Sequence, residues 1–264
     1  MKFTKWYFFL FSISLFSIIY SCSESTVGED LTIVKGFNYY PLSVGKYIIY
    51  EADSIVYSSR SGGTCSFGRD TSHFYLKEEV VDTYTDNTGE LNYILERYIR
   101  YNENDSWEIA DVWNTSMSDR QVERVEENLR FIKMVFPVSE GIGWNGNAFF
   151  KDTTLTLGGE VIEFYKHWSP EYEYTSVDIS ETINNIEYDS VTTIVQSAPS
   201  ENKVNHRYSI EKYARNIGLV YKELRILDTQ CCEYFPELAP CDGIPWEEKA
   251  ERGLIYQQRI IEHN

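Results

Sequence analysis

Basic residues are scarce in this sequence. Its 264 residues include 24 lysines and arginines but 41 aspartates and glutamates, which gives a net charge of −17 at pH 7. A surface of this sign repels the phosphate groups of nucleic acids. Nucleic-acid binding is therefore the first class of function to be excluded.

The sequence also lacks the short motifs that identify many hydrolases and metalloproteins. No Gly-x-Ser-x-Gly, His-Glu-x-x-His or Cys-x-x-Cys motif occurs, and the four histidines are scattered along the chain. The many carboxylates leave open a hydrolase that uses an Asp or Glu pair, but no spacing selects a particular pair. We predict no catalytic residue, no metal site and no cofactor, and we favour a protein that is not an enzyme.

The longest uncharged apolar run near the N-terminus is short. Lys2 and Lys5 precede it, and it extends from Trp6 to Ile19. This run is too short to span a bilayer comfortably and is typical of the apolar region of a secretory signal. Residues 1–21 are therefore predicted to be a signal peptide, with a polar, acidic tether over 22–30.

The segment Ile19-Tyr20-Ser21-Cys22 resembles a bacterial lipobox, of the loose kind found in Bacteroidetes-type lipoproteins. In such proteins the cysteine is acylated and becomes the first residue of the mature chain. The resemblance implies that Cys22 is lipidated and holds the protein to the outer membrane. The tether resembles the export signals that send such lipoproteins to the outer face, and the choice between the two faces stays open.

Cysteine is rare in the remaining chain, and its count is even. The four are Cys65, Cys231, Cys232 and Cys241. In an exported chain they predict two disulfides. Adjacent cysteines in an extended segment point to opposite sides, so we expect Cys231 and Cys232 to serve different bridges, one to Cys241 and the other to Cys65. Which takes which is left open.

The dominant pattern from Leu31 onward is an alternation of period two, broken by turn residues. It predicts an all-β fold for a single domain over 31–264: an antiparallel meander that closes as a barrel, half-barrel or sandwich, with little helix. The only predicted helix is short, from Pro245 to Glu251. The predicted strands are a hairpin over 72–101, a second hairpin turning at Gly158-Gly159 with arms at 153–157 and 160–168, and single strands at 46–57, 107–114, 121–126, 128–136, 185–196, 205–213, 217–227 and 253–262.

Two pairs of segments suggest an internal repeat. Tyr40-Pro41-Leu42-Ser43-Val44-Gly45 is echoed by Phe136-Pro137-Val138-Ser139-Glu140-Gly141, and Glu96-Arg97-Tyr98-Ile99-Arg100 by Glu211-Lys212-Tyr213-Ala214-Arg215. One hypothesis is a duplicated meander whose second copy starts near residue 136. The alternative is chance similarity between turns that lead into strands, and the domain is not divided on this evidence.

The entry Pro41-Leu42-Ser43-Val44-Gly45-Lys46-Tyr47 and the later Tyr213-Ala214-Arg215-Asn216-Ile217-Gly218-Leu219-Val220 resemble uncharacterised Bacteroidetes outer-membrane lipoproteins. In that group a Pro-Leu-x-x-Gly entry opens a β-rich body, and a Tyr-Ala-x-x-x-Gly-Leu-Val strand pair lies near the end. The resemblance implies β structure and an envelope location, and it implies no reaction.

Aromatic residues are abundant, at 16% of the chain. Trp107, Trp113, Trp144 and Trp168 are candidate stacking residues for sugar rings, and Trp107 and Trp113 would share one face of an unbroken strand. Three hypotheses follow: a non-enzymatic, lipid-anchored envelope domain that binds or supports another component, a surface lipoprotein that binds glycans, and a hydrolase with paired carboxylates. The expected partners are the membrane, through acylated Cys22, and either a polysaccharide or another envelope protein.

Overall fold

The computed structural model describes residues 30–59, 65, 67–151, 153–157, 160–166, 168, 171–199, 202–237 and 242–264. The segment Leu31–Asn264 forms one compact unit. Within the described part of the chain, no helix is long and apolar enough to cross a bilayer. The signal peptide, Cys22 and Cys241 lie outside the described residues.

Strands dominate this unit, and the helices are short. The helical elements are α1 Leu31–Lys35, a 3-10 turn Phe37–Tyr39, α2 Cys231–Tyr234 and α3 Trp246–Lys249. The first seven strands are β1 Tyr47–Ser59, β2 Phe67–Thr85, β3 Leu91–Arg100, β4 Glu108–Met117, β5 Gln121–Glu126, β6 Leu129–Val135 and β7 Gly143–Trp144. The others are β8 Thr154–Leu157, β9 Glu160–Glu163, β10 Tyr172–Ile183, β11 Ile186–Ser197, β12 Asn205–Ala214, β13 Gly218–Asp228 and β14 Arg252–His263.

Twelve of these strands form one antiparallel sheet in the order β6-β5-β4-β3-β2-β1-β14-β13-β12-β11-β10-β7. The sheet is curved into a nearly closed barrel, which confirms the predicted all-β meander. The two strands at the ends of this order meet at a seam, where the Ile132 amide donates to the Gly146 carbonyl at 2.9 Å. The indole Nε1 of Trp144 donates to the Ile132 carbonyl at 2.8 Å, so a side chain adds to the closure of the seam.

The two echoed turns make the same set of hydrogen bonds. The Gly45 amide donates to the Val80 carbonyl at 2.7 Å, and the Gly141 amide donates to the Tyr174 carbonyl at 2.8 Å. Both glycines have positive φ, at 88° and 79°, which a residue with a side chain adopts at a cost. The turns lead into β1 and β7, which begin two six-stranded runs of the same order, β1–β6 and β7 with β10–β14.

The second echo does not follow this correspondence. Glu96–Arg100 lies on β3, the third strand of the first run, whereas Glu211–Arg215 begins on β12, the fourth strand of the second. The duplicated meander therefore stays a prediction that the turn geometry supports and the second echo does not.

The ends of the barrel interior are covered by segments outside the twelve-stranded sheet. At one end Tyr39, fully buried, donates its hydroxyl to Asp178 at 2.6 Å, and the Asn216 amide donates to the Asn38 carbonyl at 2.6 Å. At the other, the β8–β9 hairpin packs Ile162 and Phe164 against Ile226 of β13. The large apolar core lies between them, with Tyr50, Leu76, Tyr174, Ile194, Tyr213 and Ile260 among its buried side chains.

The structure differs from the prediction in three places. Strand β10 was not predicted, because Asp178 adopts a positive φ of 56° and three register shifts against β11 break the period of two. The second arm of the Gly158-Gly159 hairpin ends at Glu163, since residues 164–166 form a turn. Cys231 and Cys232 lie in helix α2, not in an extended segment, so their side chains are about 100° apart around the helix axis.

Candidate functional site: the charged interior of the barrel

Eight charged side chains line the middle of the barrel interior. They come from strands that are far apart in sequence, and we call them the charged belt. Four are acids and four are bases, so the belt is neutral when all are ionised. Its members are Glu78 on β2, Arg97 on β3, Asp111 on β4, Arg124 and Glu126 on β5, Lys133 on β6, Glu211 on β12 and Lys222 on β13.

The strand pleat accounts for the inward position of these residues. On β5, Val122 and Arg124 are both buried and are separated by a more exposed residue. On β12, Ser209, Glu211 and Tyr213 follow the same phase. Because alternate side chains point to one face of a strand, a charge in phase with buried apolar residues must enter the core.

The arginine half of the belt is built around Glu78 and Trp113. Arg124 Nη2 lies 3.0 Å from Glu78 Oε2, and Arg97 Nε lies 3.6 Å from Glu78 Oε1. The guanidinium carbons of Arg97 and Arg124 lie 4.7 and 4.6 Å from the Trp113 ring. Cation–π attraction thus adds to the ion pairs that hold the two arginines together in spite of their like charge.

The lysine half is a four-membered cluster. Lys133 Nζ lies 2.6 Å from Glu211 Oε1 and 3.5 Å from Glu126 Oε1. Lys222 Nζ lies farther away, at 3.3 Å from Glu211 and 3.9 Å from Glu126. The Tyr213 hydroxyl donates to the second oxygen of Glu211 at 2.7 Å, so both of its oxygens have partners.

The lysine half of the belt keeps its two carboxylates, Glu126 and Glu211, ionised. Burial alone would raise the pKa of Glu126, but attraction to Lys133 and Lys222 outweighs burial and lowers that pKa below its usual value. The same lysines lower the pKa of Glu211 against the effect of its burial. For Lys222, burial would lower the pKa, and the two glutamates raise it instead. The arrangement holds fixed charges rather than a proton ready for transfer.

A cavity of about 40 Å³ adjoins the lysine half, between the belt and the β8–β9 hairpin. We call it the Gln196 cavity. Gln196 is 4% exposed, and its Oε1 accepts a hydrogen bond from Ser209 Oγ at 2.8 Å. Its Nε2 and the Nε1 of Trp168 are buried and have no hydrogen-bond partner among the described residues. The remaining lining is mostly aromatic and includes Phe131, Phe164, Tyr165, Trp168 and Tyr172.

A second cavity, of about 60 Å³, lies on the arginine side of the belt. Its walls are mainly apolar or aromatic, with Leu42, Tyr50 and Leu219 among them. The ion pair of Glu78 with Arg124 also contributes to its lining.

The four candidate tryptophans are not brought together. Trp113 and Trp144 are buried, the first beside the belt arginines and the second at the barrel seam. Trp107 is half-buried, with the Arg100 guanidinium carbon 4.3 Å from its ring. A register shift in β4 places Ile109 and Asp111 on opposite faces of the sheet. Trp107, just before β4, and Trp113 lie on either side of this shift, so they do not share a face. Trp168 alone of the four lines the Gln196 cavity.

The cysteines are partly accounted for. Cys65 and Cys231 form a disulfide with a Cα–Cα distance of 5.7 Å, which joins segments 166 residues apart. Cys232 is buried, and Thr229 Oγ1 donates to its sulfur at 3.7 Å. In the residues that the structure describes, no group of three or more His, Cys, Asp or Glu side chains is arranged to hold a metal ion.

Sequence reasoning missed the charged belt. The net charge of −17 suggests that the carboxylates lie on the surface, whereas these four line the interior. The signal that could have found them is the phase of charged residues within strands, as in Val122-x-Arg124-x-Glu126 and Phe131-x-Lys133. Gln196 carried no comparable signal, because a polar residue at the end of a strand is common.

The fold and its interior define a class of protein: an all-β, nearly closed barrel domain with a charged and apolar lining. The sequence matches no protein-family model and no curated protein. Among solved structures, it is similar to a Bacteroides fragilis protein described as an exported protein with a YmcC-like fold. The identity is 10%, the TM-score is 0.35, and the match covers 85% of this chain and 98% of that one.

Two further solved structures are similar. One is a Parabacteroides distasonis protein described as a lipoprotein, at 11% identity and a TM-score of 0.34, covering 86% of this chain and 98% of that one. The other is lipovitellin, in a structure that concerns its lipid–protein interactions, at 8% identity and a TM-score of 0.32, covering 85% of this chain and 26% of that one.

Proposed function

We propose that this protein is an exported lipoprotein, acylated at Cys22 and anchored to the outer membrane, whose barrel is a non-enzymatic binding or structural domain. The observation that carries the non-enzymatic part is the charged belt. Its glutamates are paired with cations, and the pKa values of Glu126 and Glu211 are lowered. A hydrolase with two carboxylates needs one of them protonated near neutral pH, which requires a raised pKa.

Export is supported by the disulfide between Cys65 and Cys231, a bond that persists in oxidising compartments. The length of the tether limits the distance between the barrel and the membrane. Residues 22–30 lie between the acylated cysteine and α1, and nine residues reach roughly 30 Å when fully extended. The barrel would thus stay within about one domain diameter of the bilayer.

Lipid labelling tests the anchor. Cells that express the natural chain are grown with alkyne-palmitate, and the purified protein is examined for the label. We expect label on the natural chain and on the control variant Ser21→Ala, which keeps a small residue before the cysteine, and none on Cys22→Ala. Label that persists in Cys22→Ala would refute acylation at this residue.

The glycan-binding alternative has less support. A sugar-stacking surface needs exposed aromatic rings in a row, whereas Trp113 and Trp144 are buried and are held by other contacts. Trp168 remains as a single ring beside a small cavity. A ligand at this cavity would be recognised by hydrogen bonds to one of its polar groups and not by a row of stacked rings.

A further inference from the structure

The Gln196 cavity holds hydrogen-bond donors that the protein leaves unused. Gln196 Nε2 and Trp168 Nε1 are buried and have no acceptor within the described chain. Burying such a donor without a partner is unfavourable, because its hydration is lost and nothing replaces it. Ser209 Oγ donates to Gln196 Oε1, which leaves the NH₂ group of Gln196 as the unpaired side of the amide.

Lys222 adds a positive charge to the same cavity. Its ammonium lies 3.3 Å from Glu211 and 3.9 Å from Glu126, both longer than the 2.6 Å contact of Lys133 with Glu211. An ammonium has three donors, and these long contacts leave Lys222 with capacity for another acceptor. Its side chain is 21% exposed, in contrast to the 3% of Lys133.

The lining contains one carboxylate, Glu126, and this carboxylate is already paired with cations. Glu126 lies 3.2 Å from Arg124 and 3.5 Å from Lys133, so cations already neutralise it. The lining residues contain Glu126 as the acid and Lys133 and Lys222 as the bases. Glu211 pairs with both lysines, so the charges around the cavity balance. A group that enters the cavity therefore meets the donors of Gln196, Trp168 and Lys222.

We propose that the Gln196 cavity is a binding site for a carboxylate group, which accepts hydrogen bonds from Gln196, Trp168 and Lys222. The cavity of about 40 Å³ has room for a group of a few atoms, since a single water needs about 10–15 Å³ on the same measure. The rest of the ligand extends toward solvent past Trp168 and Lys222, which are partly exposed. This site specifies the binding role within the proposed function and does not depend on acylation.

The test compares carboxylates with neutral molecules of the same shape. The full chain, purified in detergent, is titrated by calorimetry with acetate and with acetamide, and with glucuronate and with glucose, at constant ionic strength. We expect saturable binding of the carboxylates and none of the neutral analogues. If glucuronate binds more than tenfold tighter than acetate, the carboxylate belongs to an acidic sugar. If the two bind equally tightly, it belongs to a small organic acid.

Two variants connect binding to the cavity. Trp168→Phe removes the indole N–H and keeps an aromatic ring, and Gln196→Met removes the amide at similar volume. Each should weaken carboxylate binding about tenfold, the effect of one lost hydrogen bond to a charged group. The matched controls are Trp246→Phe and Gln257→Met, which lie outside the cavity lining and should bind as the natural chain does.

The thermal midpoint of each variant is measured without ligand to show that the variant is folded. If Gln196→Met is not folded, the test rests on Trp168→Phe. The proposal is overturned if acetate and acetamide give the same heats, or if Trp168→Phe binds acetate as tightly as the natural chain. Either result would mean that the cavity contains only water. Palmitate labelling is read separately, so failure here leaves the anchor untouched.

Discussion

Lys133 shows what a buried charge requires. Its side chain is 3% exposed, and its ammonium is paired with Glu211 and Glu126. Each ion loses its hydration on folding, and only the mutual attraction of all four members of the lysine half offsets that loss. The pairs are therefore weak evidence for high stability, but each member is needed once the others are present.

We expect Lys133→Met to lower the free energy of unfolding by about 3–5 kcal/mol, because it leaves Glu211 and Glu126 partly uncompensated. The measurement is urea unfolding followed by circular dichroism. The control is Lys203→Met, which breaks the exposed pair of Lys203 with Asp242 and should cost about 0–1 kcal/mol. Equal effects of the two substitutions would contradict the role of the belt.

Among the elements, the β8–β9 hairpin depends on one side chain of the barrel. Arg207 is 1% exposed, and its guanidinium donates to the carbonyls of Glu163 and Lys166 at 3.2 and 3.1 Å. It also donates to the Leu227 carbonyl at 3.1 Å and lies 2.8 Å from Asp228. The planar fork of an arginine can serve these acceptors at once, and an ammonium cannot.

Arg207→Lys should therefore loosen the hairpin and lower the free energy of unfolding by about 2–4 kcal/mol. Hydrogen exchange is expected to accelerate most at residues 160–166. The matched control is Arg225→Lys, whose half-buried guanidinium pairs with Glu223 and Glu247, and its effect should stay below about 1 kcal/mol. Unchanged exchange at 160–166 in Arg207→Lys would show that the hairpin is held by its apolar contacts alone.

How far an element could be predicted from the sequence depended on its regularity. Strand β5 begins and ends at the predicted residues, 121 and 126. Strand β10 was missed where bulges interrupt the period of two. The belt was missed for a different reason: Glu126 and Glu211 meet only after eight strands have curved around, and spacing along the chain does not report that contact.

At the scale of the whole molecule, the disulfide links two distant parts of the chain. Cys65 precedes β2 and Cys231 begins α2, with 166 residues of separation. In the chain-entropy account, closing a loop of this length stabilises the folded state by about 5 kcal/mol, with native strain reducing the figure. We expect the double variant Cys65→Ser/Cys231→Ser to lose about 3–5 kcal/mol in urea unfolding. No loss would indicate that the barrel contacts already restrict the unfolded chain.

The tyrosines of the core set the alkaline limit of the molecule. Burial raises the pKa of Tyr39 and of Tyr256 to about 12, and raises those of Tyr50 and Tyr213 well above the usual value. Below pH of about 10 these groups are protonated in both the folded and the unfolded chain, so they do not make the free energy of unfolding depend on pH. Above it the unfolded chain ionises and the folded chain does not. The free energy of unfolding then falls by up to about 1.4 kcal/mol per tyrosine for each further pH unit, until the folded pKa is reached.

A titration of absorbance at 295 nm, with circular dichroism recorded on the same samples, measures this effect. Tyrosines exposed to solvent should ionise first, near pH of about 10, without loss of β structure. The buried group should ionise in one cooperative step at higher pH, together with the loss of the dichroism signal, because the barrel must open before water reaches it. In urea the two steps should merge near pH of about 10. A single step at that pH with the dichroism intact would mean that water already reaches the interior of the barrel.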